Sequence, residues 1–179
     1  MTTTITGATG IDNIKAATGS VLQVVSTLYT GTVSSTSATP TDVSGFAATI
    51  TPSSTSSKIL ITVNTNFGFD AGDAYPYILL LRGAVSIGTG TGAGSGQVNT
   101  FLSGTNVDGD ATTTSQYKME SASKTYLDSP ATTAATTYKI QFSSPYNSHT
   151  AYLNRQGSTA GDPYIQFPSS TITLQEIAG

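Results

Sequence analysis

The ten residues KILITVNTNF, Lys58–Phe67, alternate in polarity with a period of two. Ile59, Ile61, Val63, Thr65 and Phe67 fall on one face, and Thr62, Asn64 and Asn66 on the other. Successive side chains of a strand point to opposite faces, so such a segment is predicted to form a half-buried strand. The same period recurs along the chain. GFAATI places Phe46, Ala48 and Ile50 together, and STITLQEI places Ile172 and Leu174 on one face with Glu176. Val21–Leu28 and Tyr75–Leu81 are apolar on both faces, with Val21 and Val25 opposite Leu22, Val24 and Leu28 in the first. Strands of that kind ask for cover on both sides. Helical periodicity is nearly confined to Ile11–Ala17, IDNIKAA, which predicts one or two turns ended by Gly19.

The opening question of class is order against disorder. Charged residues are 9% of the 179, against about 25% in typical soluble proteins. Disordered chains combine few aromatics with high net charge. Here the net charge is −3, with nine Tyr and six Phe. Threonine is a good strand residue, because its branched Cβ suits a pleated surface. The chain therefore reads as ordered and β-rich, with a hydroxylated surface.

Tyr126–Phe142, YLDSPATTAATTYKIQF, sets seven Ala and Thr residues between Pro130 and an alternating run. Proline cannot donate to a strand ladder, so it ends the strand of Tyr126 and Leu127. The Ala/Thr run has nothing large to bury and no capping pattern. It is predicted to cross a sandwich edge in extended form, after which Tyr138, Ile140 and Phe142 face the core. Some eight short strands without a βαβ pattern predict an all-β fold, an antiparallel sandwich or jelly roll over residues 19–179, with a short N-terminal arm at residues 1–18.

Several chemistries find no support. Seven basic residues are too few for a phosphate-binding surface, so no nucleic-acid partner is expected. The absence of cysteine excludes disulfides and thiolate metal sites. No apolar run reaches the roughly 20 residues of a helical membrane span. MTTTITGATG has neither the basic nor the apolar region of a signal peptide, so synthesis in a cytoplasm is expected. Gly88–Gly96, GTGTGAGSG, lacks the flanking strand and helix of a dinucleotide site and is expected to be a loop. Asp108-Gly109-Asp110 reads as a turn; an irregular calcium site with Asp70 and Asp73 stays open. His149, the one histidine, lies in YNSHTAY with no nucleophile elbow nearby. No catalytic, cofactor or metal residue is assigned, and no enzyme is expected. Tyr75, Tyr77, Tyr146, Tyr152 and Tyr164 could stack on sugars or pack in a core or interface.

The order of segments carries a resemblance. GSVLQVVS is followed by SGFAATITPSSTSSKILITV, LLLRG, YLDSPATTAATTYKIQF, AYLN and a terminal STITLQEIAG. Over residues 19–179 the chain resembles a domain common in tail-fibre and related virion proteins of bacteriophages, including marine and cyanobacterial phages. The resemblance implies a β-sandwich assembled as a homotrimer, working in a virion assembled in the host cytoplasm. It implies a non-enzymatic role as a trimeric tail-fibre or short spike-like appendage, in contact with other virion proteins and with a host-surface glycan as a further partner. A decoration protein stabilising the capsid is the alternative, and a free carbohydrate-binding module a third reading. Only residues 1–18 precede the domain, which favours a compact appendage over a long shaft. On this reading Ile5, Ile11 and Ile14 dock the arm onto the virion. Val21, Leu22, Val24, Tyr77 and Leu79 are expected at the oligomer interface, and Tyr146, Asp108 and Asp110 in loops at the tip.

Overall fold

A computed structural model describes residues 16–70, 76–92, 98–101, 117–144, 149–157, 161 and 163–179. They form two layers of antiparallel strands without an α-helix among them. In chain order the strands are β1 (Val21–Tyr29), β2 (Val33–Ser35), β3 (Thr41–Ile50), β4 (Lys58–Phe69), β5 (Tyr77–Arg82), β6 (Val85–Ile87), β7 (Met119–Asp128), β8 (Thr136–Ser143), β9 (Ala151–Leu153) and β10 (Ser170–Ile177).

Sheet A is organised on β4, the longest strand. β7 runs along one edge of it, from Ile59 opposite Asp128 to Gly68 opposite Met119. The other edge is shared end to end, β10 pairing with 58–64 and β9 with 67–69. β1 then pairs with β10, and β2 with β9. Sheet B has the order β3-β8-β5-β6. The expected inward residues of β4 are all buried: Ile59, Ile61 and Val63 at 0% exposure, Thr65 and Phe67 at 1%. They meet Phe46, Ala48 and Ile50 of β3, Ile78 and Leu80 of β5, and Tyr138, Ile140 and Phe142 of β8 across the sandwich. Each fully buried aliphatic side chain contributes about 1.5–3 kcal/mol, so this layer is the main source of stability.

The sandwich is closed at its β1/β3 side by side chains. Thr27 Oγ1 donates to Ala47 O at 2.8 Å, and Gln23 Nε2 to Thr51 O at 2.7 Å. Both carbonyls belong to β3 or its end, the outer strand of sheet B. An edge strand offers unpaired carbonyls to any passing chain, and these bonds occupy two of them.

Two expectations change. A β-bulge between Val21 and Gln23 shifts the alternation, so that Gln23 and Val25 turn inward and Val21 is exposed instead of sharing Val25's face. Among the described residues β1 is an edge strand paired with β10, and its outer side is bare within the single chain. QVNTFLSG, expected as a weak strand, is irregular at residues 98–101, where Thr100 bonds the backbone of β5. The short helix expected at Ile11–Ala17 falls mainly outside the described residues.

The Ala/Thr run connects β7 of sheet A to β8 of sheet B, crossing between the layers as its composition suggests. It is not uniformly extended, since Ala131 is left-handed at φ 51°.

Gly68 and Gly157 are fixed by close approach at one place in the fold. A Cβ on Gly68 would collide with Arg155 O, and one on Gly157 with Phe69 O. The segment after β9 therefore crosses the end of β4 with backbone against backbone. Gly157→Ala is expected to lose about 1–3 kcal/mol of stability by overpacking. Urea denaturation checks this, and a change under about 0.5 kcal/mol, the usual range for a surface position, would contradict it.

Candidate functional site

The residues that carry the sequence resemblance converge on three buried polar ties. Two of them lie at one end of the sandwich, in a single row of sheet A. Glu176 of β10 and Asp128 of β7 both pair with Ile59, one on each side. With strands about 4.8 Å apart, the two carboxylates stand roughly 10 Å from each other across a fully buried isoleucine.

Glu176 is 0% exposed. Its Oε1 accepts Ser53 N at 2.7 Å and Ser53 Oγ at 2.6 Å, and its Oε2 accepts Gln23 Nε2 at 2.6 Å. The Ser57 hydroxyl is buried beside it without a hydrogen bond of ordinary geometry. Burial by itself would raise the pKa. The donors from Ser53 and Gln23, with the Ser57 hydroxyl close by, outweigh it and hold the group down at about 2. Thus VLQVV, TPSSTSSK and QEIAG meet at one carboxylate.

Asp128, 5% exposed, ties the layers together. Arg82 Nη1 donates to both its oxygens at 3.0 and 2.9 Å, and Tyr138 Oη donates at 2.7 Å. Arg82 and Tyr138 are in sheet B, Asp128 in sheet A. The Tyr138 hydroxyl is pushed far up from its ordinary pKa, by burial first and then by the bond to Asp128. LLLRG, YLDSP and TTYKIQF meet here.

The third tie is Asn154, the last residue of AYLN, left-handed at φ 56° and 0% exposed. Its Nδ2 donates to Tyr29 O at 2.9 Å and Gly31 O at 3.0 Å, and its Oδ1 accepts Ser170 Oγ at 2.6 Å. It joins β1, β9 and β10 where β9 and β10 abut along β4. Both carboxylates and this amide are filled by donors or acceptors of the chain itself, an arrangement that holds strands in place.

The carboxylate end is also where both ends of the domain lie. Gly19 N donates to Ala178 O, and Ala178 N to Ser20 O, each at 2.8 Å. A cleft of about 310 Å³ opens there between Ala16, Leu22, four serines of the 53–57 turn, Ala178 and Gly179. Ile5, Ile11 and Ile14 lie outside the described residues.

On the β5/β7 flank near mid-height, Gly88, Gly90 and Gly92 of the glycine-rich loop, Asn99, Thr100 and Lys124 line a second cleft of about 360 Å³. Asn99 Oδ1 is buried there without a hydrogen-bond partner. An ammonium, an amide oxygen and threonine hydroxyls form a set suited to a hydroxylated ligand. Tyr146, Asp108 and Asp110 lie outside the described residues. His149 Nδ1 is 3.5 Å from Asp70 Oδ1, and Asp70 Oδ2 accepts Thr150 N at 2.9 Å, which pins the start of β9 to the end of β4. Among the described residues no cluster of three His, Cys, Asp or Glu could hold a metal, and no helix is long and apolar enough to cross a membrane.

The five interface candidates fall on two sheets. Val21 and Val24 are exposed on β1 at 52% and 56%, and Leu22 sits in the bulge beside the basal cleft. Tyr77 and Leu79 lie on the outer side of sheet B. Leu79 is 9% exposed there, and Tyr77 Oη donates to Val98 O at 2.7 Å. Sequence reasoning missed the ties altogether. Their only signal was a polar or charged residue set among apolar ones, as Gln23, Arg82, Asp128, Asn154 and Glu176 are. Compared with models of protein families and with curated proteins, the chain matches none.

Glu176 makes acid sensitivity testable. Its folded pKa, about 2, lies below the unfolded value of about 4.5. Its contribution is therefore complete above pH 4.5 and is lost as pH falls from there toward 2. A difference of that size corresponds to about 3 kcal/mol. Glu176→Gln is expected to be destabilised at neutral pH and to show a flatter stability profile below pH 4.5, measured by urea denaturation across pH. Parallel profiles would show that Glu176 does not set the acid limb. Tyr138→Phe, which leaves Asp128 one donor short, is expected to cost about 1.5–3 kcal/mol in the same assay.

Proposed function

We propose that the chain is a non-enzymatic structural subunit of a phage virion, a compact trimeric appendage of the tail-fibre or spike type with a jelly-roll-like domain. The observation that carries this reading is the convergence just described. Gln23, Ser53, Arg82, Asp128, Tyr138, Asn154 and Glu176 come from the very segments that resemble the virion domain, and together they build the three ties.

The polarity of the domain supports the same role. The N-terminal segment leaves beside the C-terminus at the carboxylate end. The glycine-rich cleft with Lys124 lies apart from it, on the β5/β7 flank near mid-height. An appendage needs one region for the particle and another for the host surface, where a glycan is the proposed partner. A position on the capsid as a decoration subunit uses the same anchor and differs only in where it sits.

The test is made on particles. Removing residues 1–15 leaves the Gly19–Ala178 pairing intact, so the domain is expected to fold while incorporation into virions is lost. Incorporation at the normal level would refute the anchor. Density for the chain at the tail would support the appendage, and density over the head shell the decoration role.

A further inference from the structure

The cleft on the β5/β7 flank holds two polar groups that the fold itself does not use. The first is Lys124. It stands opposite Val63 in the ladder, so it leaves sheet A on the core-facing side, at the outer edge of β7, and it is half-buried. The described acids are engaged elsewhere: Asp42 with Lys139, Asp70 with Thr150, Asp128 with Arg82, and Glu176 with Ser53 and Gln23. The charge that acts on Glu120 is that of Lys118. Lys124 is thus a partly desolvated cation without a counter-ion, which is costly until an anion arrives. The second group is Asn99, whose Oδ1 is buried and has no donor. A buried acceptor left unpaired costs stability in the same way.

We infer that this cleft binds a sugar bearing a single negative charge, a carboxylate or a sulfate ester, with the anion on Lys124 Nζ and a ring hydroxyl donating to Asn99 Oδ1. The inference rests on the glycan partner proposed above, and gives that partner a charge and a place. One ammonium matches one charge, whereas a phosphate monoester brings nearly two and would stay half-neutralised. Asn99 Oδ1 needs a donor, which a bare anion lacks and a sugar hydroxyl supplies. Phe101, the aromatic residue in the lining, is 2% exposed, so no ring face is open for a nucleobase to stack on. The volume of about 360 Å³ lies in the roughly 300–1,000 Å³ range of small-ligand sites.

The chain holds these two groups in fixed positions before any ligand arrives. Residues 98–100 are tied one after another: Tyr77 Oη donates to Val98 O at 2.7 Å, Gly90 N to Asn99 O at 3.2 Å, and Thr100 N to Ile78 O at 3.0 Å. The Thr100 hydroxyl donates to Ile87 O and accepts Leu80 N, each at 3.0 Å, so it anchors Asn99 rather than meeting the ligand. On the other wall Gly88 is left-handed at φ 63°, and a Cβ there would stand 3.1 Å from the Tyr126 ring of β7. Gly90 has open space where a Cβ would be. The glycine loop therefore lies close against β7 and puts no side chain of its own at those two positions. Binding to groups already in place loses little to ordering.

Nuclear magnetic resonance of the isotope-labelled full chain tests this, with glucuronate, a glucose sulfate ester, glucose and inorganic phosphate as probes. Saturable shifts of the Asn99 side-chain amide and the Lys124 backbone are expected with glucuronate or the sulfate ester, and none with glucose or phosphate at equal concentration. Saturation with only one of the two acids identifies the anion and supports the site. Lys124→Met keeps the aliphatic stem and removes the charge. It is expected to weaken binding about tenfold or more with circular dichroism unchanged, and Lys124→Arg to retain it. If Lys124→Met fails to fold, the comparison of probes on the wild type decides. Glucose bound as tightly as glucuronate, or acid binding unchanged in Lys124→Met, would overturn the contact with Lys124. Phosphate giving the same saturable shifts would overturn the sugar and leave a bare anion site. No saturable shift with either acid would overturn the site outright. The virion role is judged separately, by incorporation after removal of residues 1–15.

Discussion

Two carboxylates hold one end of this sandwich, and much of the rest is arranged to make them bearable. A buried carboxylate is costly unless donors surround it. Glu176 has three donors from a turn and a neighbouring strand, and Asp128 has an arginine and a tyrosine from the opposite sheet. Each therefore fixes more than its own strand. Glu176 sets where the Thr51–Ser57 turn lies against β1 and β10, and Asp128 sets how sheet A meets sheet B. Hydrophobic burial is non-directional and would tolerate other offsets between the layers. The ties tolerate few, because a shift of one residue leaves a charge in the core without partners.

The same economy appears at the edges. Thr27 and Gln23 occupy β3 carbonyls, and Asn154 occupies those of Tyr29 and Gly31. The flanks of the sandwich are thus partly sealed, while the broad outer face of sheet A is left with methyls and hydroxyls. Charged residues are only 9% of the chain.

The alternation of KILITVNTNF, GFAATI, TTYKIQF and STITLQEI was readable because a period of two has one meaning when half of it is apolar. The face of β1 was not, since a single bulged residue reverses the phase and no local signal marks it. β2 and β6 have three residues each, too short for a pattern to register. Glu176 shares a face with Ile172 and Leu174 in the sequence, but its role depends on Ser53 and Gln23, 123 and 153 positions away in the chain. The left-handed Asn154 likewise has its partners near residues 29 and 170.

From its sequence alone this protein is committed to strands, to a hydroxylated surface and to a core of Ile, Leu and Phe, because those follow from residue type and spacing within a few positions. Which strands are neighbours, which face stays bare and which acids are buried were decided only in three dimensions. They depend on pairings between segments far apart in the chain, and no local property of either segment records its partner.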